Sequence, residues 1–183
     1  MIPLFTQFFL YSFLGFLLEV LYARLLGRGG HGRKCLLFLP LCPVYGIGAA
    51  AILHMPPLLQ SYPVAVFLAG GMLATLAEYA VGAFYLWGPG VQFWDYSMAP
   101  GNLSGLICPL YTLFWGLLAV ALVYGLHPAL EPWLAQVPGQ LTLLLFCLFA
   151  ADGLLSLWLL HRSGTPDSLM WYWAFLRPQR DAM

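Results

Sequence analysis

The chain alternates between long runs of apolar residues and short joints rich in glycine, proline or charge. About 20 consecutive apolar residues are needed to cross the hydrocarbon core of a bilayer as a helix. Five runs reach that length, at about 3–26, 36–55, 63–87, 105–126 and 140–161. The pattern therefore predicts an all-α fold, a polytopic membrane helix bundle with five transmembrane helices.

None of the joints is long enough to hold a separate folded unit, so residues 1–163 are expected to form a single transmembrane domain. Residues 164–183 then form a cytoplasmic tail. The aromatic residues of the tail, between 168 and 176, suit a helix that lies at the membrane interface, although a disordered end is an equal alternative.

Composition supports a membrane protein, because the chain is 62% hydrophobic and 8% charged. A soluble domain carries roughly 25% charged residues, which it needs to cover its surface. The formal net charge is +0, which excludes the basic footprint of a nucleic-acid-binding protein. The lipid bilayer is therefore the expected partner, and no nucleic acid is expected.

The basic residues predict the orientation. Arg24, Arg28, Arg33 and Lys34 follow the first span, and Arg162, Arg177 and Arg180 follow the fifth. An odd number of spans places both groups on one side, and basic residues favour the cytoplasmic side. We therefore expect a multi-pass protein of the plasma membrane, the inner membrane of a bacterial cell, with its N-terminus outside and its C-terminus cytoplasmic.

Three acidic residues, Glu19, Glu78 and Asp152, lie inside the apolar runs. An ionisable side chain at the centre of a membrane helix costs about 2.5–3.5 kcal/mol, and it usually faces a protein interior or a wet cavity. Glu19 and Glu78 share helical faces with small residues, which favour close helix packing. The sequence predicts that the acids converge on one cavity, with Glu19 and Glu78 as principal ligands and Asp152 as the third.

A short motif occurs twice, at 41–46 and 107–112, each time as Cys-Pro-x-Tyr at the start of a span. Pro43 and Pro109 each withdraw a backbone donor, which suits a structural kink or a first-turn position. The recurrence indicates a parallel duplication of a helix pair, followed by a fifth helix. Tyr45 and Tyr111 of the two motifs are expected to orient a bound solute.

The joint between the third and fourth spans is aromatic and lacks Lys and Arg, which indicates that it packs against the bundle. Irregular backbone at membrane depth must be satisfied by protein or water. We expect Asp95, Asn102 and Ser104 to line the mouth of the cavity, and we include Trp94 and Tyr96 among the solute-binding residues. The alternative is an aromatic belt at the interface, with Asp95 as a helix cap.

Several motifs resemble those of one family of small bacterial membrane proteins, over roughly residues 8 to 128. The matching positions are Tyr11–Gly15 with Glu19, the 41–46 motif, Glu78-Tyr79, Trp94-Asp95-Tyr96-Ser97, Asn102-Leu103 with Gly105, Ile107-Cys108 and Trp115-Gly116. The most specific of these is Trp-Asp-Tyr-Ser. The chain is similar in these positions to the CmpB-like, type IV ABC-transporter permeases. The resemblance implies transport, and it implies a separate ATPase subunit, because the segment 27–34 lacks the Lys and Ser or Thr of a phosphate loop.

The leading hypothesis is a transporter or channel-like permease for a small cationic or protonatable solute, either a molecule or an ion. Two other classes stay open: a non-transporting membrane subunit or scaffold, and an intramembrane lipid-modifying enzyme that uses a carboxylate with His31 or Asp95. The acids could also serve packing alone. No catalytic residue, metal site or cofactor is predicted, and a homodimer through the Gly-rich third or fourth span is consistent with the small bundle.

Overall fold

Apolar helices make up most of the computed structural model of the chain, which describes residues 4–25 and 35–170. Its five main helices are α1 (Leu4–Leu25), α2 (Pro43–Leu53), α3 (Pro63–Trp87), α4 (Pro109–Leu134) and α5 (Gly139–Ser163). A short helix, Pro57–Gln60, and a 3₁₀ turn, Pro166–Leu169, complete the described helical segments. The predicted all-α polytopic bundle is confirmed. The basic joint at 27–34 and the tail from residue 171 lie outside the described residues.

Four of these helices, α1, α3, α4 and α5, are long and apolar enough to cross a membrane. Helix α2 has 11 residues, which span about 16 Å and fall short of a bilayer core of about 30 Å. It begins at Pro43, whereas the apolar run begins at 36, because Cys42 is extended (φ −116°, ψ 93°) and a proline is well suited to the first helical position.

Both Cys-Pro-x-Tyr motifs are helix starts. Pro109 opens α4 as Pro43 opens α2, and Cys108 is also extended (φ −152°, ψ 157°). Neither proline kinks a helix, because each lies where its missing N–H has no helical partner to lose. Helix α4 continues beyond the predicted end at 126, through the π-helical turn Leu122–Leu126, as far as Leu134.

The segment 35–42 reaches α2 without forming a helix, yet it is largely buried, with Cys35, Leu36 and Cys42 at most 2% exposed. Three of its backbone donors are satisfied by α5, and the amide of Cys42 donates to the carbonyl of Ser12 on α1. The carboxylate of Asp152 accepts hydrogen bonds from the amides of Leu37 (3.1 Å), Phe38 (3.0 and 3.2 Å) and Leu39 (2.7 Å). Non-helical backbone is tolerated within a membrane where protein satisfies it in this way.

Helix packing follows the chain order, since α1 packs on α2, α2 on α3 and α3 on α4, while α5 touches the end of this series through α1. Helices α3 and α4 approach closely at two glycines, since a Cβ on Gly71 would lie 3.2 Å from Cα of Gly116. Helices α1 and α4, by contrast, do not pack closely against each other. A crevice is left between them, with α2 and α3 behind it.

Candidate functional site

The α1–α4 crevice is bridged by a pair of polar side chains at each end. Tyr22 Oη lies 3.2 Å from Tyr111 Oη, and Tyr11 Oη lies 2.7 Å from Nδ1 of His127. The pairing shows that the two helices run antiparallel. Tyr11 and Tyr22 are separated on α1 by about 16 Å, at 1.5 Å per residue, which sets the length of the opening.

One cavity of about 410 Å³ occupies the part of the crevice next to Tyr22 and Tyr111. We call it the acidic cavity because Glu19 of α1 and Glu78 of α3 both line it. Six aromatic side chains share its wall: Tyr22, Tyr45, Tyr96, Tyr111, Phe114 and Trp115. Three leucines complete it: Leu18, Leu117 and Leu118.

Both glutamates are buried and hydrogen-bonded. Tyr45 Oη donates to Oε1 of Glu19 over 2.9 Å, and Glu19 is 8% exposed. Glu78 is 1% exposed, and it accepts from Tyr96 Oη at Oε1 and from Trp115 Nε1 at Oε2, both over 2.9 Å. Hydrogen bonds to charged groups are worth about 1.5–3 kcal/mol each, so these donors stabilise carboxylates at this depth.

The second cavity, of about 280 Å³, continues the crevice toward Tyr11. We call it the apolar cavity, because its remaining lining is aliphatic or glycine apart from Tyr45 and Trp115; it includes Gly15, Gly48, Ala49, Ile52, Ala74, Ala119, Leu122 and Leu126. The two cavities share Leu18, Tyr45, Trp115 and Leu118. The rings of Tyr45 and Trp115, with centroids 5.0 Å apart, therefore lie where the cavities meet.

Gly15 makes room for the Tyr45 ring, because a methyl group at Gly15 would clash with Cβ and Cγ of Tyr45. We expect Gly15→Ala to displace Tyr45 and to lower the free energy of unfolding by about 1–3 kcal/mol, as overpacking does. Chemical denaturation in detergent would measure this. Gly153→Ala is the matched control, since a Cβ there has nothing within 4 Å, and it should be neutral or slightly stabilising. Equal losses in both variants would contradict the role of Gly15.

Five of the predicted site residues come together in the acidic cavity: Glu19, Glu78, Tyr45, Tyr96 and Tyr111. Tyr96 reaches it from the joint between α3 and α4, where its ring stacks on Tyr111 with centroids 4.4 Å apart. The aromatic joint thus folds against the bundle and delivers one donor to Glu78.

The other four predicted site residues do not line the acidic cavity. Asp152 binds the backbone of the 35–42 segment instead. Trp94 is buried and donates from Nε1 to the carbonyl of Leu106, while Asp95 accepts from the amide of Ser97. Asn102 donates to the carbonyls of residues 97 and 99 and accepts from the amide of Gly105. These contacts fix the conformation of the joint, and so place Tyr96 in the wall of the acidic cavity.

Trp115 and Tyr22 are members of the site that sequence reasoning did not single out as solute-binding. A signal was present in the spacing, because Trp115 is four residues after Tyr111 and Tyr22 is three residues after Glu19, which places each pair on one helical face. In apolar helices, however, aromatic residues at such spacing are common, and the pattern alone does not separate a cavity wall from a lipid-facing surface.

A family model described as "Putative ABC-transporter type IV" matches residues 6–157 of the chain. That match covers α1 to α4 and more than half of α5, so both glutamates and the whole lining of the two cavities lie within it. No curated protein and no solved structure matches the chain. The chain belongs to this ABC-transporter-type family of membrane proteins, and the resemblance seen in its motifs is confirmed.

Proposed function

We propose that this member of the type IV ABC-transporter family is a permease for a small cationic or protonatable solute, which it binds in the acidic cavity. One observation carries the proposal: Glu19 and Glu78, from two different membrane helices, line the same cavity of about 410 Å³. Buried carboxylates are costly in a membrane helix, and they most often mark solute or ion pathways. The cavity volume lies in the range typical of small-molecule sites, about 300–1,000 Å³.

The wall of the acidic cavity suits a positive charge. Two buried carboxylates supply charge complementarity, and electrostatic attraction is stronger in a protein interior than in bulk water. Aromatic faces add cation–π attraction, which grows to about 2 kcal/mol when the cation is desolvated. A protonatable solute would be held by the same groups, since the carboxylates favour its charged form.

A solute bound in the acidic cavity would displace the rings of Tyr45 and Trp115, which lie where the two cavities meet. A cation that takes up an oxygen of Glu19 competes with the hydroxyl of Tyr45, and one that takes up an oxygen of Glu78 competes with Nε1 of Trp115. Both rings also line the apolar cavity, so their movement would change the connection between the two cavities. The hydrogen bonds to Glu19 and Glu78 thereby couple solute binding to the opening of the connection between the two cavities.

The finer assignments follow from the sequence. The basic residues after the first and fifth spans favour a cytoplasmic C-terminus in the plasma membrane, and the acidic cavity then opens nearer the cytoplasmic side. A separate ATPase subunit would supply ATP hydrolysis, in line with the family description.

The test is uptake by purified protein in proteoliposomes, with radiolabelled tetraethylammonium and with proton flux reported by a trapped pH dye. We expect Glu78→Gln to reduce tetraethylammonium uptake and proton flux about 10- to 100-fold, because one hydrogen bond or contact to a charged group is worth about 1.5–3 kcal/mol. Glu19→Gln should reduce flux in the same direction. The amide oxygen of glutamine can accept from Trp115 Nε1 while its NH₂ group donates to Tyr96 Oη, so folding should be preserved.

Glu131→Gln is the matched control, because Glu131 is exposed on α4 and lines neither cavity. It should leave flux unchanged. Unaltered flux in both Glu19→Gln and Glu78→Gln, with folding intact, would contradict the proposal and leave the two acids with a packing role alone.

A further inference from the structure

We propose that the solute is an amphiphile with one alkyl chain and an ammonium head group, which enters the α1–α4 crevice sideways from the lipid. The ammonium would occupy the acidic cavity and the chain the apolar cavity. This inference rests on the proposed function and names the substrate class of the same site.

The first argument is the polarity of the crevice, which changes along its length. At one end, Glu19, Glu78 and the rings of Tyr96 and Tyr111 form a site for a charged head group. At the other end, the walls are supplied by Ile52, Leu122 and other small or aliphatic residues, with no acid or base among them. Because the two cavities share four lining residues, one molecule can occupy both.

The second argument is access. Leu18 and Leu118 line both cavities and are still 37% and 38% exposed, so they form the outer edges of the crevice. They belong to α1 and α4, which are both long and apolar enough to cross a membrane, and we expect this face to meet the lipid chains. A molecule already dissolved in the bilayer reaches the crevice directly through this face.

The third argument is the charge of the head group. Two carboxylates repel the phosphate of a zwitterionic phospholipid and favour a head group that carries a cation alone. A bare metal ion such as Ca²⁺ takes 6–8 oxygen ligands, whereas the acidic cavity offers two carboxylates among aromatic rings. Among the described residues, no group of three or more His, Cys, Asp or Glu side chains is placed to hold a metal ion. Aromatic faces with carboxylates are the chemistry that recognises organic ammonium groups.

The test uses the full chain in nanodiscs of zwitterionic lipid and a dodecylamine that carries a photoreactive diazirine at the end of its chain. After illumination, labelled peptides are identified by mass spectrometry. We expect label on the walls of the apolar cavity, at Ile52 of α2 and at Leu122 and Leu126 of α4, and we expect excess unlabelled dodecyltrimethylammonium to remove it. Dodecanol with the same diazirine is the matched ligand control, and it should label this region at least about tenfold less, as the loss of one charged contact predicts.

The outcomes separate this inference from the proposed function. Equal labelling by the alcohol, or labelling spread over the lipid-facing sides of all helices, would overturn the amphiphilic amine. So would closure of the crevice by a second copy of the chain, seen as a cross-link between cysteines placed at Leu18 and Leu118 of different chains. Glu78-dependent flux of tetraethylammonium or protons in any of these cases would leave the permease proposal standing. Specific labelling that is lost in Glu19→Gln and Glu78→Gln, without flux, would support the binding site and contradict transport.

Discussion

Asp152→Ala is expected to lower the free energy of unfolding by about 3–5 kcal/mol, because it leaves the amides of Phe38 and Leu39 without their acceptor and leaves the amide of Leu37 with Ser156 Oγ alone, at 2.8 Å. The carboxylate receives the amides of Leu37, Phe38 and Leu39 over 2.7–3.2 Å, and Ser156 Oγ adds a fourth donor at 3.2 Å. Water is not available at membrane depth to replace these bonds. Denaturation in detergent micelles, followed by circular dichroism, would measure the loss.

Two controls define this prediction. Asp152→Asn keeps one carbonyl oxygen as an acceptor, so its loss should be smaller than that of Asp152→Ala. Asp167→Ala removes an exposed carboxylate and should change stability by less than about 0.5 kcal/mol, as surface substitutions do. If Asp152→Ala were as stable as the unaltered protein but lost flux, Asp152 would be a solute ligand and the structural role would be wrong.

The acid-bearing helices could be predicted from the sequence because the physical signal is local. A glutamate inside an apolar run must face protein, and the small residues beside Glu19 and Glu78 mark the face that does so. These two acids converge because α1 and α3 both pack on α2, whereas Asp152, on α5 of the same bundle, does not reach them. The Cys-Pro-x-Tyr motif likewise marks the starts of α2 and α4, since proline favours the first helical position. The duplication of a helix pair stays a prediction.

The role of Asp152 could not be predicted in this way, because its partners lie 113–115 positions away in the chain. Hydropathy does not distinguish a membrane helix from a buried irregular segment. Residues 36–42 are apolar because they form a buried irregular segment. Their amides need an acceptor from elsewhere, and in this fold a carboxylate on α5 provides it. An intramembrane acid thus has two quite different uses, and only the neighbouring backbone decides between them.

The α1–α4 crevice is also a property of packing and not of any one helix. The side-chain bridges Tyr11–His127 and Tyr22–Tyr111 join α1 and α4 across its two ends, while α2 and α3 fill the space behind. Each bridge joins residues that are 89 or more positions apart, so no local sequence pattern predicts these bridges. Trp115 gains its role in the same way, by lying beside both Glu78 and Tyr45.

Blocking the α1–α4 crevice with large side chains should abolish the flux of solute. Leu18 and Leu118 lie on its two edges and line both cavities, so the double substitution Leu18→Trp and Leu118→Trp places two large rings across the opening. We expect tetraethylammonium uptake to fall to the level of protein-free vesicles, and dodecylamine labelling to fall to the level of protein-free nanodiscs. The stability of the protein should change little, because both positions are partly exposed and tryptophan is compatible with a lipid-facing surface.

The matched control is a second double variant, with two tryptophan substitutions on the same two helices. Leu17 and Leu113 are 45% and 53% exposed, and neither lines a cavity, so Leu17→Trp with Leu113→Trp should leave uptake and labelling unchanged. Loss in both double variants would point to a general effect of bulk on the bundle. Full uptake in the Leu18 and Leu118 variant, with labelling abolished, would mean that solute reaches the glutamates by a route other than the lipid-facing crevice, and that the amphiphile does not share the permeation path.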